Sequence, residues 1–308
     1  MSSEAALLPT PLERAPDGLA PGRDGYLKRE DAHELGAFKW RGALPTLEQY
    51  RRDGARLVVT ASTGNHGSAT AWAAQRLGLT AVVYAPEDVS RTKLELMQEL
   101  GAEVRLWGAD VDDSKDEARA WAEEQDVPFF EDGAESAQLD GYAAIGVEIL
   151  DQLPEPPAAV VVPVGNGALL AGIGRALGDL APSTLRVGVA AREAPVMVES
   201  WRAERPVPSD SSATFADGLA VRVAIPLAVD ALQTAADRML LVSERDLAYA
   251  VASFSKAGLR VEGAAAAALA ALPQLDELSG AVVLVVTGRN IDDALLERAL
   301  SDPDGFPE

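Results

Sequence analysis

Four short stretches hold residues whose types and spacing could do chemistry. The first is "HELGAFKWRGAL", residues 33–44, which carries Lys39, one of only five lysines in 308 residues. Phe38 stands directly before this scarce amine, Gly36 lies three positions earlier, and Arg41-Gly42 follows shortly after. The second and third are "ASTGNHG" (61–67) and "PVGNGAL" (163–169), each following an apolar run and preceding a helical pattern. Backbone N–H groups are free at such a helix start, and the helix dipole favours an anion there. The fourth is "VTGRN" at 286–290. Taken singly these are weak signals. A lone lysine reads as an exposed loop residue, and glycine after a strand is often plain turn chemistry. Neither glycine turn has the Lys-Ser/Thr pair of a P-loop or good dinucleotide-binding spacing.

Short Val/Leu/Ala runs alternating with longer amphipathic segments position these stretches. "RLVVTAS", "TAVVYAP", "AEVRLWG", "AAVVVPV", "LRVGVAA" and "AVVLVVTG" read as strands. "SATAWAAQRLG", "SRTKLELMQELG" (closed by Gly101) and "DSKDEARAWAEEQ" read as helices, and "GAAAAALAAL" as a buried helix. Continuous apolar strands between helices predict an α/β chain with mostly parallel sheets covered on both faces. Ligands of such sheets bind at the carboxyl ends of the strands, where both glycine turns lie. Residues 202–213 read as a Pro/Ser-rich polar loop and 301–308 as a frayed tail.

Composition narrows the function classes. A formal net charge of -21 and a pI near 4.5 argue against nucleic-acid and anionic-membrane partners, which would be repelled. With no cysteine there is no disulfide, no thiolate metal site and no cysteine nucleophile. No apolar run approaches the ~18 residues of a membrane span, and residues 1–16 do not look like a signal peptide. A cytoplasmic protein is the simplest expectation.

In order along the chain, these pieces resemble the pyridoxal-phosphate enzymes of the tryptophan synthase β fold type, in particular the threonine/serine dehydratases and serine racemases. Thr10-Pro11-Leu12, Lys28-Arg29-Glu30 and the box Gly36-Ala37-Phe38-Lys39-Trp40-Arg41-Gly42-Ala43 match that group's pattern, and the likeness runs through nearly the whole chain. The resemblance implies fold type II: two open, mostly parallel sheets with helices on both faces. It implies a large cofactor domain of residues 1–55 and 143–308 and a small mobile domain of 56–142, with a homodimer as the usual assembly.

The same resemblance assigns roles. Lys39 forms the internal Schiff base with pyridoxal 5'-phosphate and later moves the α-proton; this needs a neutral amine, which partial burial favours. Phe38 packs near the cofactor ring, and Gly165, Asn166, Gly167, Ala168 and Leu169 hold its phosphate through backbone amides. Ser62, Thr63, Gly64, Asn65 and His66 grip the substrate carboxylate, with Asn65 also on the cofactor's phenolic oxygen. His66 suits helix-start packing or a hydrogen bond better than base catalysis. Thr287 sits beside the pyridine nitrogen, where a neutral hydroxyl leaves a weak electron sink suited to β-elimination. Asp217 and Gly218 border the site, Glu262 matches a family glutamate with Gly263 replacing its proline, and Asn290 is expected to cap the next helix.

Departures from the pattern guide the function. Thr63 stands where racemases use a second, catalytic serine. Arg192, with Glu193 beside it, stands where some members bind a divalent cation, so no metal is expected. Trp40 replaces the acidic or basic residue of threonine synthases, which favours an unphosphorylated substrate. The chain ends soon after "TGRN", so the regulatory domain of isoleucine-sensitive dehydratases is expected to be absent. The leading expectation is an L-threonine/L-serine ammonia-lyase. A threonine synthase-like enzyme acting on O-phosphohomoserine, a serine/threonine racemase and a non-catalytic amino-acid sensor stay open.

Overall fold

Runs such as Ala159–Pro163 and Ala281–Val286 carry only apolar side chains, so water cannot be left on either face, and both are buried along nearly their whole length. The computed structural model describes residues 8–209 and 212–308, which leaves residues 1–7 of the start and 210–211 of the polar loop outside the described residues. A hairpin of β1 (Leu12–Arg14) and β2 (Asp24–Arg29) leads into α1 (Trp40–Arg52). Then follow β3 (Leu57–Ala61), α2 (Asn65–Leu77), β4 (Thr80–Ala85), α3 (Arg91–Glu99), β5 (Glu103–Leu106) and α4 (Val111–Glu124). Helix α5 (Ser136–Gln152) precedes β6 (Ala159–Pro163), α6 (Ala168–Leu180), β7 (Leu185–Ala191), α7 (Val196–Ala203) and α8 (Pro226–Ala235). The chain closes with β8 (Arg238–Val242), α9 (Glu244–Lys256), α10 (Gly263–Ala270), β9 (Ala281–Val286) and α11 (Asp293–Ser301).

Among the described residues two sheets form, one of six strands in the order β1-β2-β9-β6-β7-β8 and one of three in the order β3-β4-β5. Only the β1–β2 pair is antiparallel. Alternate side chains of the large sheet enter different cores, as the period of two requires. Val161, Val187 and Leu284 pack with Phe254 and Leu269 on one face, and Val160, Val162 and Val283 pack with Ile145 and Leu170 on the other. A third core joins the small sheet to α1 and α2 through Trp40, Leu47, Trp72, Val83 and Phe130. The all-alanine face of α10 is fully inside, as its composition predicts.

Three sequence expectations are corrected. Helix α2 starts at Asn65, three residues before the apolar pattern, so Asn65 and His66 lie in its first turn. The terminal residues are ordered: Asp302 accepts from the Gly305 amide, Phe306 is buried against Phe215 with ring centroids 4.8 Å apart, and Pro307 O accepts from Arg245 N at 2.8 Å. One large aromatic among polar residues thus anchors a stretch whose composition reads as a tail. Within 202–213, Arg202 and Ala203 belong to the end of α7 rather than to the loop, and Pro208 makes an isolated bridge to Val223.

Candidate active site

Strands β6 and β9 are parallel neighbours with Val161 opposite Leu284, so their carboxyl ends leave the sheet side by side. This brings the 164–169 turn next to Thr287. The lysine box runs along the same strand end: Phe38 N donates to Thr287 O at 3.0 Å, Arg289 N to Gly36 O at 2.9 Å, and Ala37 bridges Gly288. The turn after β3 faces them from the small sheet. Between them lies a cavity of about 260 Å³ lined by Phe38, Lys39, Ser62, Thr63, Gly64, Asn65, His66, Gly165, Asn166, Gly167, Leu169, Gly218 and Thr287. Of the predicted site residues only Ala168 is absent from this lining. Its side chain is buried, and its amide donates to Asn166 Oδ1 at 3.1 Å.

Lys39 sits at the start of α1, and its placement depends on a buried ionic network two residues away. Arg41 donates to Glu30 at 2.7 and 2.9 Å and to Glu148 at 2.7 and 2.8 Å. Lys28 reaches Glu148 at 2.5 Å and Thr10 O at 2.7 Å. Burial pushes the Glu148 carboxyl up, but hydrogen bonds and charge from Arg41 and Lys28 hold it below its ordinary value. The Thr-Pro-Leu and Lys-x-Glu segments therefore brace the lysine box rather than touch the cavity. Trp40 is likewise turned away: it is buried in the small-sheet core, stacked on His33 at 4.5 Å, so it does not face a substrate.

The Lys39 amine is not simply desolvated, as partial burial predicts. Nζ lies 2.5 Å from Asp132 Oδ2 and 5.0 Å from the centre of the Phe38 ring. Burial raises the Asp132 carboxyl, yet the charges of Lys39 and His66 and the hydrogen bonds from Lys39 and Gln138 hold it well below the usual carboxylate range. His66 is buried, which lowers its ring below the ordinary histidine value. Its Nε2 meets Thr60 Oγ1 at 3.0 Å and Phe130 O at 3.3 Å, in keeping with the hydrogen-bonding role expected for it.

Asn65 joins the two sheets across the cavity. Its Nδ2 donates to the two oxygens of Glu262 at 3.0 and 3.2 Å, and its Oδ1 accepts from Asn290 Nδ2 at 2.8 Å. Asn290 also donates to Leu35 O at 2.9 Å, while Asp292 occupies the start of α11. Asn290 is therefore a tie between the lysine box and Asn65, not the expected helix cap. Burial first, and then the charge of Asp217, push the Glu262 carboxyl up to about 7 against the Asn65 hydrogen bond and Lys93. Lys93 on α3 in turn pairs with Asp217, and Arg222 with Asp112, so two ion pairs link α3 and α4 to the 217–222 stretch that lines the cavity.

The 165–169 turn is shaped for a close anion. Gly167 has φ +92° and precedes the first turn of α6, whose leading amides lack intrahelical acceptors. A Cβ at Gly165 would stand 2.3 Å from Gly218 O, so only glycine lets the two turns meet. The model of the pyridoxal-phosphate dependent enzyme family matches residues 4–288 of this chain. The chain belongs to that family. Among relatives of this pyridoxal-phosphate enzyme is an L-threonine ammonia-lyase of Geobacter sulfurreducens, 35% identical over 283 residues, covering 89% of this chain and 70% of the relative. Threonine deaminase isoform 2 of Solanum lycopersicum superposes with a TM-score of 0.91 at 29% identity, covering 97% and 89% of the two chains. A second threonine deaminase, from T.th., superposes with a TM-score of 0.85 at 32% identity, covering 92% of each chain. The fold is the fold type II of these enzymes.

The residues present fit pyridoxal phosphate. Thr287 Oγ1 is buried at the cavity and has no hydrogen-bond partner among the described residues, which leaves it open for a ring nitrogen. The glycine turn offers amides to a phosphate, and Lys39 offers the amine between the two. Two acids were given no role by the sequence reading. Asp132 lies in no motif; its only signal is its place in "FFEDGAES", directly before a helix. Glu262 carried a family match, but its contact with Asn65 spans 197 residues.

Proposed function

We propose that this pyridoxal-phosphate enzyme is an L-threonine/L-serine ammonia-lyase, releasing 2-oxobutanoate or pyruvate and ammonia. The observation that carries the reading is the Lys39 amine at a cavity that has an amide-rich helix start on either side. Two anions of one reaction fit those ends, the cofactor phosphate at 165–169 and the substrate carboxylate at 62–66. The L-threonine ammonia-lyase and threonine deaminases among its relatives support this choice over other reactions of the family.

When bound, pyridoxal phosphate supplies the electron sink that lets the α-proton and the β-hydroxyl leave. Lys39 holds its aldehyde and then accepts the α-proton at Nζ. The Ser62–His66 turn orients the substrate carboxylate, with the α2 dipole favouring its charge. Thr63 presents a hydroxyl in the same turn, and Asn65, held by Glu262 and Asn290, would face the cofactor's phenolic oxygen. Thr287 takes the ring nitrogen as a neutral partner. Residues 56–142 act as the small mobile domain, whose closure over the substrate excludes water. The enzyme works as a cytoplasmic homodimer.

The test is a screen of L-threonine, L-serine, O-phosphohomoserine and the D-isomers, read for 2-oxo acid, phosphate and change of configuration. The expected result is 2-oxo acid from L-threonine or L-serine, with absorbance at ~410–420 nm that is lost with activity in Lys39→Ala. Phosphate release without 2-oxo acid would instead make it threonine synthase-like.

A further inference from the structure

The residue in closest polar contact with Lys39 belongs to no recognised motif. Asp132 lies on the loop that follows the Val59–Phe129 bridge and precedes α5. Its Oδ2 is 2.5 Å from Lys39 Nζ. Its Oδ1 accepts from Gln138 Nε2 at 3.1 Å, and the fully buried Gln138 is itself fixed by the Gly133 amide at 2.8 Å. The same Oδ1 lies 3.6 Å from His66 Nδ1. The carboxylate therefore has little freedom: the start of α1 presents Lys39 to it, α2 presents His66, and α5 presents Gln138. Glu131, next in sequence, is engaged elsewhere, with Lys115 and Arg119.

We infer that Asp132 is the positioning residue of Lys39: its carboxylate sets where the amine rests and stabilises the ammonium that forms there. The inference deepens the lyase reading and rests on it for the proton's origin. When the Cα–H bond breaks, its electron pair stays with the substrate carbon, the proton goes to Nζ, and a new N–H bond forms. A cation then forms on a side chain that is only 17% exposed, where an unpaired charge is costly. A fixed carboxylate at hydrogen-bond distance favours that charged form. The proton stays on nitrogen, because the Lys39 ammonium and the Gln138 hydrogen bond hold the Asp132 carboxyl in its ionised form. The arrangement follows the logic of an acid–base pair oriented by a third group, with Gln138 and His66 holding the acid.

The experiment uses the cofactor-free chain and cyanate, a small reagent that carbamylates neutral amines. With only five lysines, peptide mapping follows Lys39 without ambiguity. In Asp132→Asn at pH 8, Lys39 is expected to react at least about tenfold faster than in the parent, because the ammonium loses the carboxylate that favours it. The other four lysines are expected to be unchanged. A Lys39 rate within twofold of the parent overturns the inference. Should Asp132→Asn not fold, Asp132→Ala is read with and without formate: slowing of the Lys39 reaction by formate supports the role, and indifference to formate overturns it. Turnover of O-phosphohomoserine alone would sink the lyase reading and leave the cyanate result standing. Normal 2-oxo acid production with unchanged reactivity would sink only the role of Asp132.

Discussion

Replacing Glu262 by glutamine should change how stability depends on pH in a defined direction. Glu262 is 4% exposed at the start of α10, and its carboxyl is pushed from an ordinary 4.5 up to about 7. The native chain therefore holds this proton more tightly than the unfolded chain does between those two values. The associated stability is complete below about pH 4.5 and is lost as pH rises through about 7. At 1.36 kcal/mol per unit the loss is roughly 3 kcal/mol. Glutamine keeps the shape of the protonated acid and can still accept from Asn65, so Glu262→Gln should be unaffected by this titration. The assay is thermal unfolding of parent and variant from pH 4.5 to 8, both free of cofactor, so that ligand binding does not add its own stabilisation. The two should match near pH 4.5, and the variant should unfold about 5 °C or more above the parent at pH 8. Parallel curves across this range would refute the reasoning, because they would mean that Glu262 ionises without cost in the native cavity.

Arg41→Met should cost about 3–5 kcal/mol in urea unfolding at pH 7, because Glu30 and Glu148 would face each other without their shared guanidinium. Thr287→Val removes a hydroxyl with no partner among the described residues. It should leave cofactor-free stability within ~0.5 kcal/mol but weaken pyridoxal phosphate about tenfold; equal effects on both would refute the assignment. Gly165→Ala, whose Cβ would stand 2.3 Å from Gly218 O, should destabilise by ~1–3 kcal/mol and lower cofactor affinity in the same titration. Lys93→Met breaks the pair with Asp217, whose side chains are 20% and 51% exposed. That pair is worth only ~0.2–1 kcal/mol, so KM should rise about two- to fivefold with kcat less affected.

Much of the fold was legible because its rules are local. Short valine-rich runs such as Ala159–Pro163 read as strands covered on both faces, and glycine turns at their carboxyl ends mark where a ligand sits. The motif order placed Lys39, the 62–66 turn, the 165–169 turn and Thr287 in one site, and the cavity gathers them. Where local rules failed, a distant contact had decided the matter. The last residues are polar and read as a tail until Phe306 finds Phe215. Asn290 looks like a cap until Asn65 is seen 2.8 Å away, 225 residues earlier in the chain.

By itself, then, the order of side chains determined the layered α/β architecture, since apolar runs and turns are short-range patterns, and its resemblance to a known family pointed to the cofactor class and to the Lys39 amine. Only tertiary structure decided the electrostatic setting of that amine. Asp132 and Glu262 acquire their partners, and Arg41 its bracing network, through contacts across 93, 197 and 107 positions. Charge interactions act through space and depend on burial, so no pattern along the chain announces them.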